Sequence, residues 1–299
     1  MLISFQGFSS KILIPMDDSQ SNHLKAYGVT FWVLGNGVEA QWLLNYRGGS
    51  FMLPNINSIA EECVIRGVSF KIIADVQADQ ILNEISDSEV NMESVKLEKS
   101  PKIAVYSPAG KLPWDDAVTL VLTYAEIPYE IVYDEEVLSG VLPKYDWLHL
   151  HHEDFTGQFG KFYKAYRTAT WYQDEVDSQN ASANFMGFQK VSEMKREVSL
   201  TLRNFVLGGG FLFTMCSGTD SFDIALASQN TDIASTVFDG TPIDYNYQTK
   251  LDFSNSIAFE NYSLYTDPMI YEYSTIDIPP SHMPDARGAE EDYFTLFEF

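Results

Sequence analysis

Basic residues are scarce in this chain: 19 Lys and Arg stand against 42 Asp and Glu, a formal net charge of −23. Such a field repels phosphate backbones and anionic headgroups, which argues against nucleic acid as a partner. Cysteine is scarcer still, with Cys63 and Cys216 alone in 299 residues. Two cysteines make no disulfide framework, and the lack of a C-x-x-C pair removes the usual zinc and redox signatures. No apolar run approaches the ~20 residues that cross a bilayer, so no membrane span is predicted. Solenoid repeats and low-complexity tracts are also missing. The opening Met1-Leu2-Ile3-Ser4-Phe5-Gln6-Gly7-Phe8 is apolar but has neither the basic start nor the length of a signal peptide. It fits a cytoplasmic chain, or a periplasmic one if it is the remnant of a trimmed leader.

What the chain does have is a globular composition: 45% hydrophobic residues, with 17 Tyr and 20 Phe to fill cores and line clefts. Apolar strands and helical periodicities alternate: a strand over 12–16, a helix over 23–34, strands over 41–46 and 68–74, helices over 56–66 and 78–85. Strand, helix, strand is the grammar of a parallel sheet with right-handed crossovers. A polar stretch over 87–101 reads as a linker or edge, and the same grammar then restarts. It gives strands over 102–106, 129–133 and 145–152, helices over 114–124 and 135–139, an aromatic lid-like excursion over 159–172 and a long helix over 191–207. Further strand-like pieces lie at 233–238, 250–257 and 271–278. The apolar end from Asp292 to Phe299 reads as a strand cut within a domain. The predicted class is α/β, parallel sheets flanked by helices, divided into an N-terminal α/β region over 1–99 and a second domain over 100–299.

The stretch with most chemical content follows the long helix. Gly208-Gly209-Gly210 permits a turn, 211–215 reads as a buried strand, and Cys216 stands at the break before an apolar helical run from Ile224 to Ala227. A strand that ends on a thiol and turns at once into a helix is the pattern of a nucleophile elbow. There the helix amides and dipole stabilise a thiolate and an oxyanion. A buried cysteine acting as a small hydrophobe fits the same residues. No His follows closely; His282, in a turn-like Pro280-Ser281-His282-Met283-Pro284, is the later one, and a base beyond Phe299 is an alternative.

A second cluster is His149-Leu150-His151-His152-Glu153-Asp154. On a strand His149 and His151 share a face and His152 takes the other. Two histidines and carboxylates are metal-ligand types, but no third matching ligand is identifiable, and no metal or cofactor is assigned. These residues sit at a carboxyl edge, where open α/β sheets place ligands. Ser217-Gly218-Thr219-Asp220-Ser221 resembles the Ser-Gly-Gly-x-Asp-Ser loop of ATP pyrophosphatases, one residue short; equally, Thr219 or Asp220 N-caps the helix. Arg47-Gly48-Gly49-Ser50 offers amides and a guanidinium to an anion, or is a tight turn with a surface arginine.

Nearly the whole chain resembles a bacterial family labelled asparagine synthetase B. The resemblance is carried by Asn22-His23-Leu24-Lys25-Ala26-Tyr27-Gly28, by Leu43-Leu44-Asn45-Tyr46-Arg47-Gly48-Gly49-Ser50-Phe51, by the run from Asp146 to Gly157, and by Met215-Cys216-Ser217. From Lys102 onward the layout is similar to class I glutamine amidotransferase-like domains, with a flavodoxin-like sheet. The Tyr145-Asp146-Trp147-Leu148 strand precedes an oxyanion loop and the elbow lies on a later strand. Of the usual Gly-x-Cys-x-Gly, the sequence Thr214-Met215-Cys216-Ser217-Gly218 keeps the second glycine, and a terminal His-x-Glu pair is not among these residues. Leu2, not Cys, follows Met1, unlike the glutamine-dependent asparagine synthetases.

The resemblance implies cysteine-dependent hydrolysis or nitrogen transfer on a small-molecule amide or metabolite. Cys216, His149 and Glu153 would be catalytic, Ser217, Gly218, Asp154 and Gly157 would bind the oxyanion, and His151, His152, Asp220 and Arg47 would line the cleft. Two alternatives remain: an ATP-dependent amide ligase using Ser217 to Ser221, and a non-catalytic metabolite or carbohydrate binder with a buried Cys216. Oligomeric state is left open.

Overall fold

The structure, a computed structural model, describes residues 10–108 and 117–277. The expectations for the leader remnant, the start of the 114–124 helix, Ile278, His282 and the terminal strand fall outside those residues. The described chain forms two compact units, residues 10–101 with 117–128, and residues 102–108 with 129–277.

The first unit is built on β1 (Ser10–Ile14), β2 (Ala40–Leu44), β3 (Ser50–Pro54), β4 (Lys71–Ala74) and β5 (Glu93–Leu97), in the spatial order β4-β1-β3-β2-β5. Every neighbouring pair is antiparallel. This corrects the expected parallel sheet. The cause is β3, which reads in sequence as the tail of a glycine turn but returns beside β2 as a hairpin partner and inserts between β1 and β2. With α1 (His23–Gly35) and α2 (Asn57–Ile65) as crossovers, β1 to β4 make a split βαβ, or ferredoxin-like, arrangement. The 87–101 stretch supplies β5 at the sheet edge.

Period-two alternation explains the two faces. Ile12, Ile14, Phe51 and Leu53 pack against Ala26, Val29 and Val33 of α1 and Ile59 and Cys63 of α2. Leu13, Leu43, Met52 and Ile73 point the other way, onto Ala78 and Ile85 of α3 (Asp75–Ile85). Helix α1 starts where the Asn22 side chain accepts the Lys25 N–H at 3.1 Å. Helix α4 (Ala117–Ala125) also belongs to this unit, tied to α1 by Asn22 Nδ2 donating to Tyr124 Oη at 2.8 Å and a 2.5 Å Lys25–Glu126 ion pair.

The second unit contains the parallel sheet: β6 (Ile103–Tyr106), β7 (Glu130–Val132), β8 (Trp147–Leu150) and β9 (Phe211–Thr214), ordered β7-β6-β8-β9. One face is covered by α5 (Asp134–Leu138), α8 (Val191–Leu207) and α9 (Ser217–Ala227). Val137, Val198, Leu202, Phe222 and Leu226 of these helices bury Leu148 and Leu150.

The 159–172 excursion is a short, largely surface helical segment. It is a turn at Phe159–Lys161, then α6 (Tyr163–Tyr166) and the start of α7 (Thr170–Phe185), with a core of its own around Phe159, Tyr172, Met194 and Phe238. Past α9 the expected strands are replaced by α10 (Thr236–Asp239), α11 (Tyr247–Lys250) and a turn at Phe253–Asn255, with one antiparallel bridge, Leu264 to Ser274. At 257–259 one side chain holds the backbone. The buried Asp223 carboxylate accepts the N–H groups of Ile257, Ala258 and Phe259 at 2.8, 2.8 and 2.7 Å, taking donors that a strand would give to a ladder.

Candidate active site at the Cys216 elbow

Cys216 joins β9 to α9 with φ 50° and ψ −143°, a left-handed backbone that a non-glycine residue adopts only where the surroundings enforce it. What enforces it is the β8 edge. Met215 N–H donates to Leu150 O at 3.0 Å, Gly218 N–H to His151 O at 2.9 Å and Ser217 Oγ to His152 O at 2.9 Å. Gly218 is obligatory here, because a Cβ would sit 2.5 Å from the His151 carbonyl oxygen. Ser221 Oγ, one turn on, donates to Glu153 O at 3.0 Å. Four successive hydrogen bonds thus lay the carboxyl end of β8 along the first turns of α9.

Cys216 itself is exposed, whereas Cys63 is buried in the first unit, where burial pushes its thiol up to about 11. Both cysteines are free thiols. The Cys216 position at the N-cap of an 11-residue helix places it in the positive end of the α9 dipole.

The expected oxyanion donors divide. Gly218 N–H is spent on His151 O, and Thr219 N–H on Cys216 O at 3.0 Å, so among the described residues the Cys216 and Ser217 N–H groups are the elbow amides with no hydrogen bond to an acceptor, and Ser217 N–H is the one that follows the thiol. In the loop after β8 the Asp154 carboxylate accepts Thr156 N–H at 2.7 Å, Gln158 N–H at 2.6 Å and Gly160 N–H at 3.2 Å. Asp154 is therefore the internal organiser of its loop and not an anion-binding group. Gly157, with φ 77°, lets that loop pass α8: a Cβ would lie 2.7 Å from the Ser192 backbone.

The histidines separate as well. His149 is 1% exposed in the middle of β8, its ring stacked on Phe213 of β9 at 5.6 Å, so it fills the sheet face. His151 and His152 are half-buried at the edge, with their Nδ1 atoms 3.0 Å apart. At that distance one ring can donate to the other, the tautomers deciding which. Glu153, buried, takes the His151 N–H on Oε2 at 3.2 Å. Among the described residues, no group of three or more His, Cys, Asp and Glu is placed to hold a metal ion.

Arg47 is not among the elbow residues. It lies in the first unit, where Nε and Nη2 grip both oxygens of Asp17 at 2.6 and 3.1 Å and hold that carboxyl far below its usual range. The Ser217-to-Ser221 stretch is helical from its first residue. It forms the first turns of α9, with the Ser217 and Ser221 hydroxyls given to backbone carbonyls.

Beside Cys216 opens a cavity of ≈ 270 Å³ lined by Ser217, Thr219, Asp220, Tyr271, Tyr273 and Asp277 among others. Asp220 is the residue whose role the sequence undervalued. It is no helix cap, since Cys216 holds the N-cap position; it sits four residues later, on the same face of α9 as the thiol. Burial first, then the Asp277 charge, pushes its carboxyl up to about 7.

Compared with known proteins, the chain matches no family model, no curated protein and no solved structure.

Proposed function

We propose that the second unit is a class I glutamine amidotransferase-like domain in which Cys216 performs acyl transfer on a small amide. The strained backbone of an exposed Cys216 at a strand–helix junction is the observation that carries this reading. A core cysteine would need neither the exposure nor the strain, which counts against a binder that merely retained the fold. The strand order agrees: β7-β6-β8-β9 is second, first, third, fourth in chain order, as in flavodoxin-like sheets, with ligands taken at the carboxyl ends.

In this reading the thiol proton passes to the His151–His152 pair as Sγ attacks the carbonyl carbon. The oxyanion that forms takes the Ser217 N–H. The C–N bond then breaks, the amine leaves with the proton, and water hydrolyses the thioester to a carboxylate and the free thiol. His151 and His152 are favoured over His149 because their own carbonyls are hydrogen-bonded to the residues that follow Cys216.

The test is ammonia release from a panel of primary amides by the wild-type chain and by Cys216→Ala. Release that vanishes in the variant supports the assignment; release that persists in full ends it.

A further inference from the structure

Strand β9 closes its sheet with an open side. Phe211 N–H donates to Asp146 O at 2.9 Å and Met215 N–H to Leu150 O at 3.0 Å, so the odd-numbered residues bond toward β8. The N–H and C=O groups of Leu212 and Thr214 therefore point away from β8, and no described strand pairs with them. The side chains alternate too. Leu212 packs onto the helix-covered core, whereas Phe211, Phe213 and Met215 are 59, 46 and 40% exposed on the other face. Edges left to solvent are normally blunted by charge. The other three edge strands follow that rule: β4 carries Lys71, β5 carries Glu93 and Lys96, and β7 carries Glu130. Strand β9 has no charged residue, in a chain of net charge −23.

We propose that β9 is the contact between two copies of this chain, paired antiparallel about a two-fold axis at Phe213. The register follows from the groups that are open. Leu212 of one copy opposite Thr214 of the other, and the reverse, makes two hydrogen-bonded pairs, each exchanging both N–H···O bonds. Centring the contact on Leu212 instead would set Thr214 against Gly210, whose N–H is already given to Phe205 O at 2.9 Å. In the favoured register the two Phe213 side chains meet as a non-hydrogen-bonded pair, the closer kind, and Phe211 lies opposite Met215. Every cross-strand pair on that face is then apolar. On the helix side the incoming Leu212 lands beside Thr214, where a cavity of ≈ 340 Å³ is lined by Leu212, Thr214, Phe222 and Ile257 among others. This match of β9 to itself is what favours a second copy over a foreign peptide. One charge-free edge per chain also leaves nothing to extend, so the assembly closes at two.

The test is the mass of the full chain in solution, by sedimentation equilibrium at low and at high salt. A dimer is expected, tightening several-fold with added salt because two chains of charge −23 repel each other. F213K, which sets two cations against each other at the axis, should be a folded monomer. I131K, an equally exposed position on β7 at the opposite edge, should remain a dimer. The register is read by oxidative cross-linking in a C63S/C216S background, which also serves if F213K disturbs the fold. F213C should form an interchain disulfide, whereas F211C, displaced from its own copy across the axis, should not. A wild-type chain that stays monomeric at both salts overturns the proposal and leaves the edge to an extended peptide of another protein. A dimer that survives F213K, cross-linking of F211C as fast as that of F213C, or assemblies beyond two would each overturn it as well.

Discussion

The carbonyl oxygen of His151 accepts the Gly218 N–H at 2.9 Å and lies 2.5 Å from where a Gly218 Cβ would be. This contact sets how closely α9 approaches the edge of β8, and with it the backbone of Cys216. Gly218→Ala must push one of the two backbones away. The expected cost is about 1–3 kcal/mol of stability by denaturant unfolding, with a loss of Cys216-dependent activity far larger than that stability change accounts for. A stable, fully active alanine variant would show that the contact does not hold the elbow.

Behind the site lies a buried charge network. Lys195 of α8, fully buried, pairs with Asp134 at 2.8 Å and donates to the hydroxyls of Tyr106 and Tyr133 at 3.0 and 3.2 Å. Tyr106 in turn donates to Asp134. Lys195→Met leaves Asp134 charged with no cation beside it, and destabilisation of about 3–5 kcal/mol is expected. The double variant Lys195→Met/Asp134→Leu should recover much of that loss, which equilibrium unfolding of the two variants will decide.

The raised Asp220 carboxyl ties stability to pH with a definite sign. Its folded value of about 7 lies above the ordinary unfolded value, so the native state holds this proton more tightly. Asp220 therefore destabilises the fold progressively as pH rises from about 4 to about 7, against the normal direction for a carboxylate. Asp277 and Asp154 reinforce the shift, while the Ser221 N–H opposes it. Asp220→Asn should match the wild type near pH 4 and exceed it increasingly toward pH 8, by about 4 kcal/mol at most. A stability difference independent of pH would contradict this account of Asp220.

Much of this architecture is legible in the sequence wherever the signal is local. The helix predicted over 191–207 is α8 to the residue, and the break at Cys216 is where β9 gives way to α9. Sheet direction is not local. The five residues Ser50–Pro54 form the hairpin partner that makes the unit antiparallel, and without that strand the same sequence reads as a parallel unit. Helix α7 gives little sequence signal because, of its 16 residues, only Tyr172 and Ala183 are buried, so it has almost no apolar stripe. In the site, Cys216, Gly218 and the His151–His152 edge were readable as motif positions. The inward placement of His149, the loop-organising role of Asp154 and the burial of Asp220 depend on which strand and loop lie opposite, and no local pattern encodes that.

Asp223 offers a test of how the cavity wall is held. Its carboxylate is the acceptor for three successive N–H groups at 257–259, a charged anchor for the segment that runs on to Tyr271 and Tyr273. Asp223→Ala should lower stability by about 2–4 kcal/mol and raise proteolytic cleavage within 250–277 before global unfolding. Unchanged protection there would mean that the wall is held by its apolar contacts around Tyr262 and Leu264 instead.

The central claim is that Cys216 is a nucleophile prepared by its elbow, and the most direct measurement is its acylation by p-nitrophenyl acetate at neutral pH. The release of p-nitrophenol is followed in time, and the acetylated peptide is identified by mass spectrometry. A burst of one equivalent per chain is predicted, with the acetyl group on the Cys216 peptide and a rate well above that of N-acetylcysteinamide; the burst should be absent in Cys216→Ser. Acetylation no faster than the model thiol, or appearing on Cys216 only after denaturation, would contradict the account.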